Sequence, residues 1–122
     1  MDTIIERFDN LKSNILSLNA AKQVNIIAVS KTFPLEHIKP LIDYGHVHFG
    51  ENKVQEAKAK WTEIKNQKKN LKLHMIGKLQ RNKVKDALKI FDYIHSLDNS
   101  KLADSLSKSE KDMNKSLKYF IQ

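Results

Sequence analysis

A single lysine at the end of an apolar run is the residue in this sequence best suited to covalent chemistry. Residues 26–29 read Ile-Ile-Ala-Val and are followed by Ser30, Lys31 and Thr32. An uninterrupted apolar run is typical of a strand buried on both faces, and parallel α/β proteins carry their functional residues just after such strands. Partial burial of Lys31 would favour its neutral amine, which can attack an aldehyde. The alternative interpretation is that Lys31 ends the strand and extends into water.

Periodic apolar residues predict the elements that must position this lysine. A lead-in helix is predicted over residues 1–20, and strands are predicted near residues 25–30, 46–49, 71–76, 92–96 and 117–121, with helices between them. Pro40 lies inside the second predicted helix and implies a late start or a kink there. Glu51 is predicted to open the third helix, so Glu51 and Glu56 are interpreted as exposed charges near a helix N-terminus.

The repeated order of strand and helix predicts a parallel sheet with right-handed crossovers. Two architectures accept this order, namely an open doubly wound sheet and a closed eight-stranded barrel. The three glycines, Gly45, Gly50 and Gly77, stand far apart, so no glycine-rich phosphate loop follows a predicted strand. The sequence therefore argues against a nucleotide-binding doubly wound fold.

Length and composition predict one globular domain over residues 1–122. The chain is 40% hydrophobic and 30% charged, with a formal net charge of +8 and no cysteine. The lack of cysteine excludes disulfides and thiolate metal sites. Acidic residues near Met1 and the shortness of every apolar run indicate neither a secretory signal nor a membrane span, so we expect a cytoplasmic protein without a membrane partner.

Three sequence blocks carry a resemblance to a known family. They are Ala-Val-Ser-Lys-Thr at residues 28–32, Phe-Gly-Glu-Asn-Lys-Val-Gln-Glu at residues 49–56, and His-Met-Ile-Gly-Lys-Leu-Gln-Arg-Asn-Lys at residues 74–83. In order and spacing these blocks resemble the successive motifs of the pyridoxal phosphate homeostasis protein family, and the match extends over the whole chain. The proteins of this family are single-domain relatives of the N-terminal barrel of alanine racemase.

The resemblance implies both a fold and a cofactor. The implied fold is an α/β partial TIM-type (β/α) barrel of about four and a half βα units with parallel strands. Lys31 would hold pyridoxal 5′-phosphate as an aldimine, and the cofactor mouth would be lined by Asn52, Ile76, Gly77 and Ser96. The resemblance implies a role in vitamin B6 and amino-acid homeostasis without an established catalytic reaction. Independently of the resemblance, we expect no metal site.

A racemase would need a second acid or base facing the lysine. Tyrosines are the residues to consider for that role. Tyr44 falls at a predicted helix end, and Tyr93 and Tyr119 fall inside predicted strands. None is an obvious candidate, so we expect no catalysis.

The sequence departs from the family in length. It ends inside the fifth predicted strand, whereas family members are considerably longer and barrels of this kind commonly bind phosphate after strands seven and eight. We therefore expect the chain to keep the attachment chemistry of Lys31 but to bind the cofactor weakly. The first and fifth strands would be open edges, so we also expect self-association or a complementing C-terminal half.

Three alternatives use other residues. A basic helix face that binds RNA or another polyanion could be formed by five residues: Lys78, Arg81, Lys83, Lys85 and Lys89. The scarcity of arginine argues against specific nucleic-acid recognition. His46 and His48 alternate onto one strand face and could bind a metal, but two ligands alone are a weak motif. Finally, the chain could be an inactive fragment.

Overall fold

The fold is a five-stranded parallel sheet with helices between its strands. The computed structural model of the protein describes residues 3–17 and 26–121. The strands are β1 (Ala28–Val29), β2 (His48–Glu51), β3 (Lys72–Met75), β4 (Tyr93–Leu97) and β5 (Lys118–Ile121). The helices are α1 (Thr3–Ser17), α2 (Leu35–Asp43), α3 (Val54–Gln67), α4 (Val84–Ile90) and α5 (Ser100–Met113), and a 3₁₀ turn at Arg81–Lys83 leads into α4.

The spatial order of the strands distinguishes between the two predicted architectures. The five strands lie in the order β1-β2-β3-β4-β5, and each neighbouring pair is parallel. A doubly wound sheet reverses its strand order at a switch point, whereas a (β/α) barrel adds each strand beside the previous one. The predicted partial barrel is therefore confirmed.

The hydrophobic core lies between the sheet and the helices. Phe49 of β2 and Trp61 of α3 are fully buried, and their ring centroids are 5.0 Å apart. Leu73 and Ile94 continue this layer from β3 and β4. The opposite face of the sheet is open, since Val29 is 51% exposed and Phe120 is 50% exposed. In a closed barrel the corresponding face is the packed interior.

Several predicted boundaries differ from the structure. The first strand is shorter than predicted, because only residues 28 and 29 pair with β2, and part of the predicted lead-in helix lies outside the described residues. Of the late start or kink predicted for the second helix, the late start is wrong, because α2 begins at Leu35 and continues past Pro40. The kink stays a prediction. Pro40 cannot donate a backbone hydrogen bond, and burial of the apolar side of α2 offsets this loss. The buried residues of the helix are Ile38, Leu41 and Ile42.

The described helices include none with both the length and the apolar character that crossing a membrane requires.

Candidate functional site

Lys31 lies in a tight turn directly after β1, and its side chain is exposed. The expectation that this lysine is partly buried is therefore wrong, because no element of the described residues covers the turn closely enough to bury it. The turn is closed by the Phe33 N–H, which donates to the Ser30 carbonyl at 3.2 Å. Thr32 has a φ of 65°, which is unusual and strained for a β-branched residue. Its N–H donates to Oε1 of Glu56 at 3.2 Å, a bond that helps to hold the strained backbone. Lys31 is thus presented by a turn that the surrounding structure constrains.

A buried carboxylate lies beneath this turn. Glu51 is fully buried, and its Oε2 atom accepts hydrogen bonds from Ser30 Oγ at 2.5 Å, from Lys60 Nζ at 2.9 Å and from Trp61 Nε1 at 2.9 Å. The prediction that Glu51 is an exposed helix charge is therefore wrong. The physical reason is that β2 continues through Glu51. Residues two apart in a strand share a face, so Glu51 points to the helix side of the sheet, as Phe49 does.

Two of the predicted site residues meet at the rim of the sheet. Asn52 and Gly77 follow β2 and β3, and a Cβ atom added to Gly77 would lie 2.4 Å from the backbone oxygen of Asn52. Only glycine permits this close approach. The register pairs Glu51 with Met75, so Asn52 and Ile76 leave their strands at the same level. The structure thus brings Asn52, Ile76 and Gly77 together.

Ile76 and Ser96 face different surroundings. A Cβ atom added to Gly50 would lie 3.3 Å from Cδ1 of Ile76 and 3.2 Å from Cγ2 of Ile27, so these residues cluster on one face of the sheet. Ser96 is buried, as is Ile94 two residues earlier, and the Ser96 hydroxyl has no hydrogen-bond partner. Strand alternation places Ser96 on the helix side of β4. Its contact with a cofactor stays a prediction.

A row of three histidines crosses the open face of the sheet and was missed by sequence reasoning. His48 Nδ1 lies 2.9 Å from His74 Nε2, and His74 Nδ1 lies 2.9 Å from His95 Nε2. Tyr93 stacks on His74 with a centroid distance of 4.2 Å, and Phe120 stacks on His95 at 4.5 Å. The signal available in the sequence was the presence of at least one histidine in each of three consecutive predicted strands.

Burial governs the electrostatics of this row. The pKa of His74 is lowered to about 4, mainly by desolvation and in part by the neighbouring His48 and His95, whereas Asp92 opposes the shift. Desolvation also lowers the pKa values of His48 and His95. At neutral pH the three rings are therefore uncharged, and each carries one N–H donor and one acceptor nitrogen.

His46 and His48, the two histidines weighed as metal ligands, have different ring neighbours. His46 contacts the rings of Phe8 and Phe49, at centroid distances of 4.7 and 5.2 Å, whereas His48 contacts His74. Within residues 3–17 and 26–121, no group of three or more His, Cys, Asp or Glu residues is placed to hold a metal ion.

Three of the five basic residues weighed for polyanion binding line two different grooves. Lys78 and Lys83 line a groove of about 310 Å³ beside Asn52. Lys89 instead lines a second groove, which also contains Lys65 and Asp92. Lys65 Nζ and Asp92 Oδ2 form an ion pair at 2.7 Å, so part of the positive charge in the second groove is neutralised.

Comparison with known proteins places this arrangement in context. No family model matches the chain. The pyridoxal phosphate homeostasis protein of Pasteurella multocida is 36% identical over 98% of this chain and 54% of its own length. The name of this relative specifies no catalysed reaction.

Solved structures agree with the sequence comparison. PipY of Synechococcus elongatus PCC7942, solved without PLP, has a TM-score of 0.81 and 39% identity over 93% of this chain and 50% of PipY. The same protein has also been solved with PLP bound, and that structure has a TM-score of 0.79 and 37% identity over 93% of this chain and 51% of its own. An alanine racemase of Clostridium difficile 630 has a TM-score of 0.62 at 14% identity, over 93% of this chain and 33% of the racemase, which shows a shared fold alone.

The chain spans about half the length of the relatives it matches. Sequence and fold together confirm the resemblance stated from the motifs: this chain matches the N-terminal half of the pyridoxal phosphate homeostasis protein family.

Proposed function

We propose that this chain binds pyridoxal 5′-phosphate, with the cofactor attached covalently to Lys31, and that it serves vitamin B6 and amino-acid homeostasis. The observation that carries the proposal is the position of Lys31 on a constrained turn at the rim that also holds Asn52 and Gly77. The PLP-bound structure of PipY, which shares 37% identity with this chain, supports it.

The residues at the rim fit one end of this cofactor. When bound, the cofactor would supply an electrophilic aldehyde and a phosphate anion. Lys31 is exposed, and the ion pairs of the described residues do not involve it, so its amine is accessible. Asn52 and Ile76 would hold the ring at the same level of the sheet, beside the close packing at Gly77. Ser96 is the least direct member of the proposed set, because its side chain is buried.

We infer binding without catalysis as the role of this chain. A racemase-type reaction needs a second proton-transferring group facing the lysine. In the described part of the chain the three tyrosines are engaged elsewhere: Tyr44 donates to Asp9, Tyr93 stacks on His74, and Tyr119 donates to Glu110 at 2.6 Å. Burial and the Glu110 bond also raise the pKa of Tyr119, which disfavours its use as a base.

Trapping of the cofactor tests the proposed function. The chain is incubated with pyridoxal 5′-phosphate, reduced with borohydride and digested, and the modified lysine is located by mass spectrometry. We expect labelling of the peptide that contains Lys31, and its loss in Lys31→Ala. Lys12→Ala is the matched control, because Lys12 is an exposed lysine on α1. Equal labelling across the exposed lysines, without preference for Lys31, would contradict the proposal.

A further inference from the structure

The turn that carries Lys31 is held from below by one buried ion pair. Lys60 Nζ lies 2.9 Å from Glu51 Oε2, and the two side chains are 8% and 0% exposed. Lys60 Nζ also donates to the Ser30 carbonyl at 2.5 Å, and the Ser30 hydroxyl donates to Glu51 Oε2 at 2.5 Å. The hydroxyl and the carbonyl of the residue before Lys31 are therefore both bound by this pair.

We propose that Glu51 and Lys60 are positioning residues for Lys31, and that they act through Ser30 to fix the turn from which the lysine amine reaches the cofactor. This inference deepens the proposed function and rests on it. It concerns only how the chain holds its own lysine.

The cost of burying charge supports a positional role. A buried ion pair is often no more stabilising than apolar residues of the same volume, so its presence alone does not indicate a contribution to stability. This pair connects three elements, because Glu51 ends β2, Lys60 lies on α3, and Ser30 follows β1. Trp61 Nε1 adds a third donor to the same carboxylate oxygen. The network therefore fixes the end of β1 relative to both β2 and α3.

The length of β1 explains why such support is needed. Only Ala28 and Val29 pair with β2, and Ser30 adds one further backbone bond, from its N–H to the Gly50 carbonyl at 2.9 Å. So short a ladder fixes the following turn weakly. The strained backbone of Thr32 adds a tendency to relax, which the bonds to Ser30 and the Glu56 carboxylate oppose.

The test uses Lys60→Met, which removes the donor to the Ser30 carbonyl while keeping an apolar stem of similar length. Lys58→Met is the matched control, because Lys58 lies on the same helix and makes an exposed ion pair with Asp86 at 3.4 Å. Lys60→Arg is the rescue variant, because a guanidinium can donate to a carbonyl and a carboxylate together. Leu106→Ala, in the core of α5, controls for loss of stability alone.

Two readouts are compared. The first is the fraction of Lys31 trapped by borohydride with pyridoxal 5′-phosphate, and the second is the hydrogen-exchange rate of the Phe33 amide in the cofactor-free chain. We expect Lys60→Met to lower trapping at least fivefold and to accelerate Phe33 exchange about tenfold, because the turn opens locally. Lys60→Arg should restore both readouts, and neither Lys58→Met nor Leu106→Ala should change them.

Each result decides the proposal. A folded Lys60→Met chain with unchanged trapping and unchanged Phe33 exchange would overturn it. If the unaltered chain traps no cofactor at Lys31, the proposed function fails, whereas the exchange rate of Phe33 still decides the positioning role. Should Lys60→Met not fold, Ser30→Ala replaces it, because that change removes one donor to Glu51 and leaves the ion pair in place. Unchanged Phe33 exchange in Ser30→Ala would then overturn the inference.

Discussion

His48 and His74 contact each other through ring nitrogens 2.9 Å apart on the open face of the sheet. The second nitrogen of His74 lies at the same distance from His95, so the middle ring is hydrogen-bonded on both sides. A row of neutral imidazoles satisfies each contact with one donor and one acceptor. Two adjacent protonated rings would instead direct N–H against N–H, so the row resists the uptake of protons.

We expect the stability of the chain to fall as the pH is lowered from about 7 to about 4. The pKa of His74 is about 4 in the folded chain, whereas its ordinary value is 6.5, so the unfolded chain binds more protons in this window. Stability therefore decreases with falling pH, by roughly 1–3 kcal/mol for a shift of this size. Below the folded-state pKa the contribution of His74 is fully lost. Urea unfolding followed by circular dichroism at several pH values measures it.

Substitution of His74 separates the row from other acid effects. In His74→Leu the loss of stability over the same pH range should be clearly smaller, because the most strongly shifted group is gone. His37→Leu is the matched control, since His37 is an exposed histidine on α2. Asp92 and Lys72 act on the row with opposite signs and are unchanged in both variants. An unchanged pH dependence in His74→Leu would refute the role of the row.

The sequence predicted a parallel sheet, because the strands are short apolar runs separated by helical periodicity. That periodicity left two strand orders open, and only the resemblance implied the order of a barrel. The helical spacing of four apolar residues predicts one buried face on the third helix, and all four are buried in α3: Val54, Ala57, Trp61 and Ile64. The predicted positions of Asn52 and Gly77 after consecutive strands also place them together, because parallel strands end at one edge.

The sequence did not reveal what each polar residue contacts. From its position between Gly50 and Asn52, Glu51 is predicted to start a helix. In the structure β2 extends through Glu51, and its carboxylate accepts from the buried indole of Trp61, which the sequence does not indicate. The row of histidines depends on the register between strands, which a lone sequence does not specify. The resemblance implies that Ser96 lines the cofactor mouth. Strand alternation places its buried side chain toward the helices, so its contact with a cofactor stays a prediction.

Gly77→Ala should destabilise the chain by about 2–3 kcal/mol, because the new methyl group would overlap the backbone of Asn52. A Cβ atom at residue 77 would lie 2.4 Å from the backbone oxygen of Asn52, and backbone atoms move aside less readily than side chains. Gly50→Ala is the control. The atoms nearest to its methyl group would be side-chain carbons of Ile27 and Ile76, at 3.2 to 3.4 Å, so we expect a loss under about 1 kcal/mol. Urea unfolding of the two variants checks this order, and equal losses would contradict it.

The isolated chain should bind pyridoxal 5′-phosphate weakly. Barrels of this type commonly hold phosphate in the loops after strands seven and eight, whereas the described strands end with β5. In the proposed function Lys31 would supply the attachment, but little of the binding energy would come with it. We expect a dissociation constant nearer to about 1 mM than to about 1 µM. Absorbance titration measures it, with Lys31→Ala as the blank, and tight stoichiometric binding by the isolated chain would contradict the prediction.

The open face of the sheet should make the isolated chain associate. β1 and β5 lie at opposite ends of the strand order, and each leaves one edge without a partner strand among the described residues. Phe120, which is 50% exposed on the open face, stacks on His95 and provides apolar surface for a second copy or for a complementing half-barrel. The weight-average mass in sedimentation equilibrium should rise with concentration, and Phe120→Lys should reduce that rise. Leu11→Lys, at a comparably exposed apolar residue on α1, should leave the rise unchanged. A chain that sediments as a monomer at all concentrations and melts cooperatively would show that the open face is tolerated without a partner.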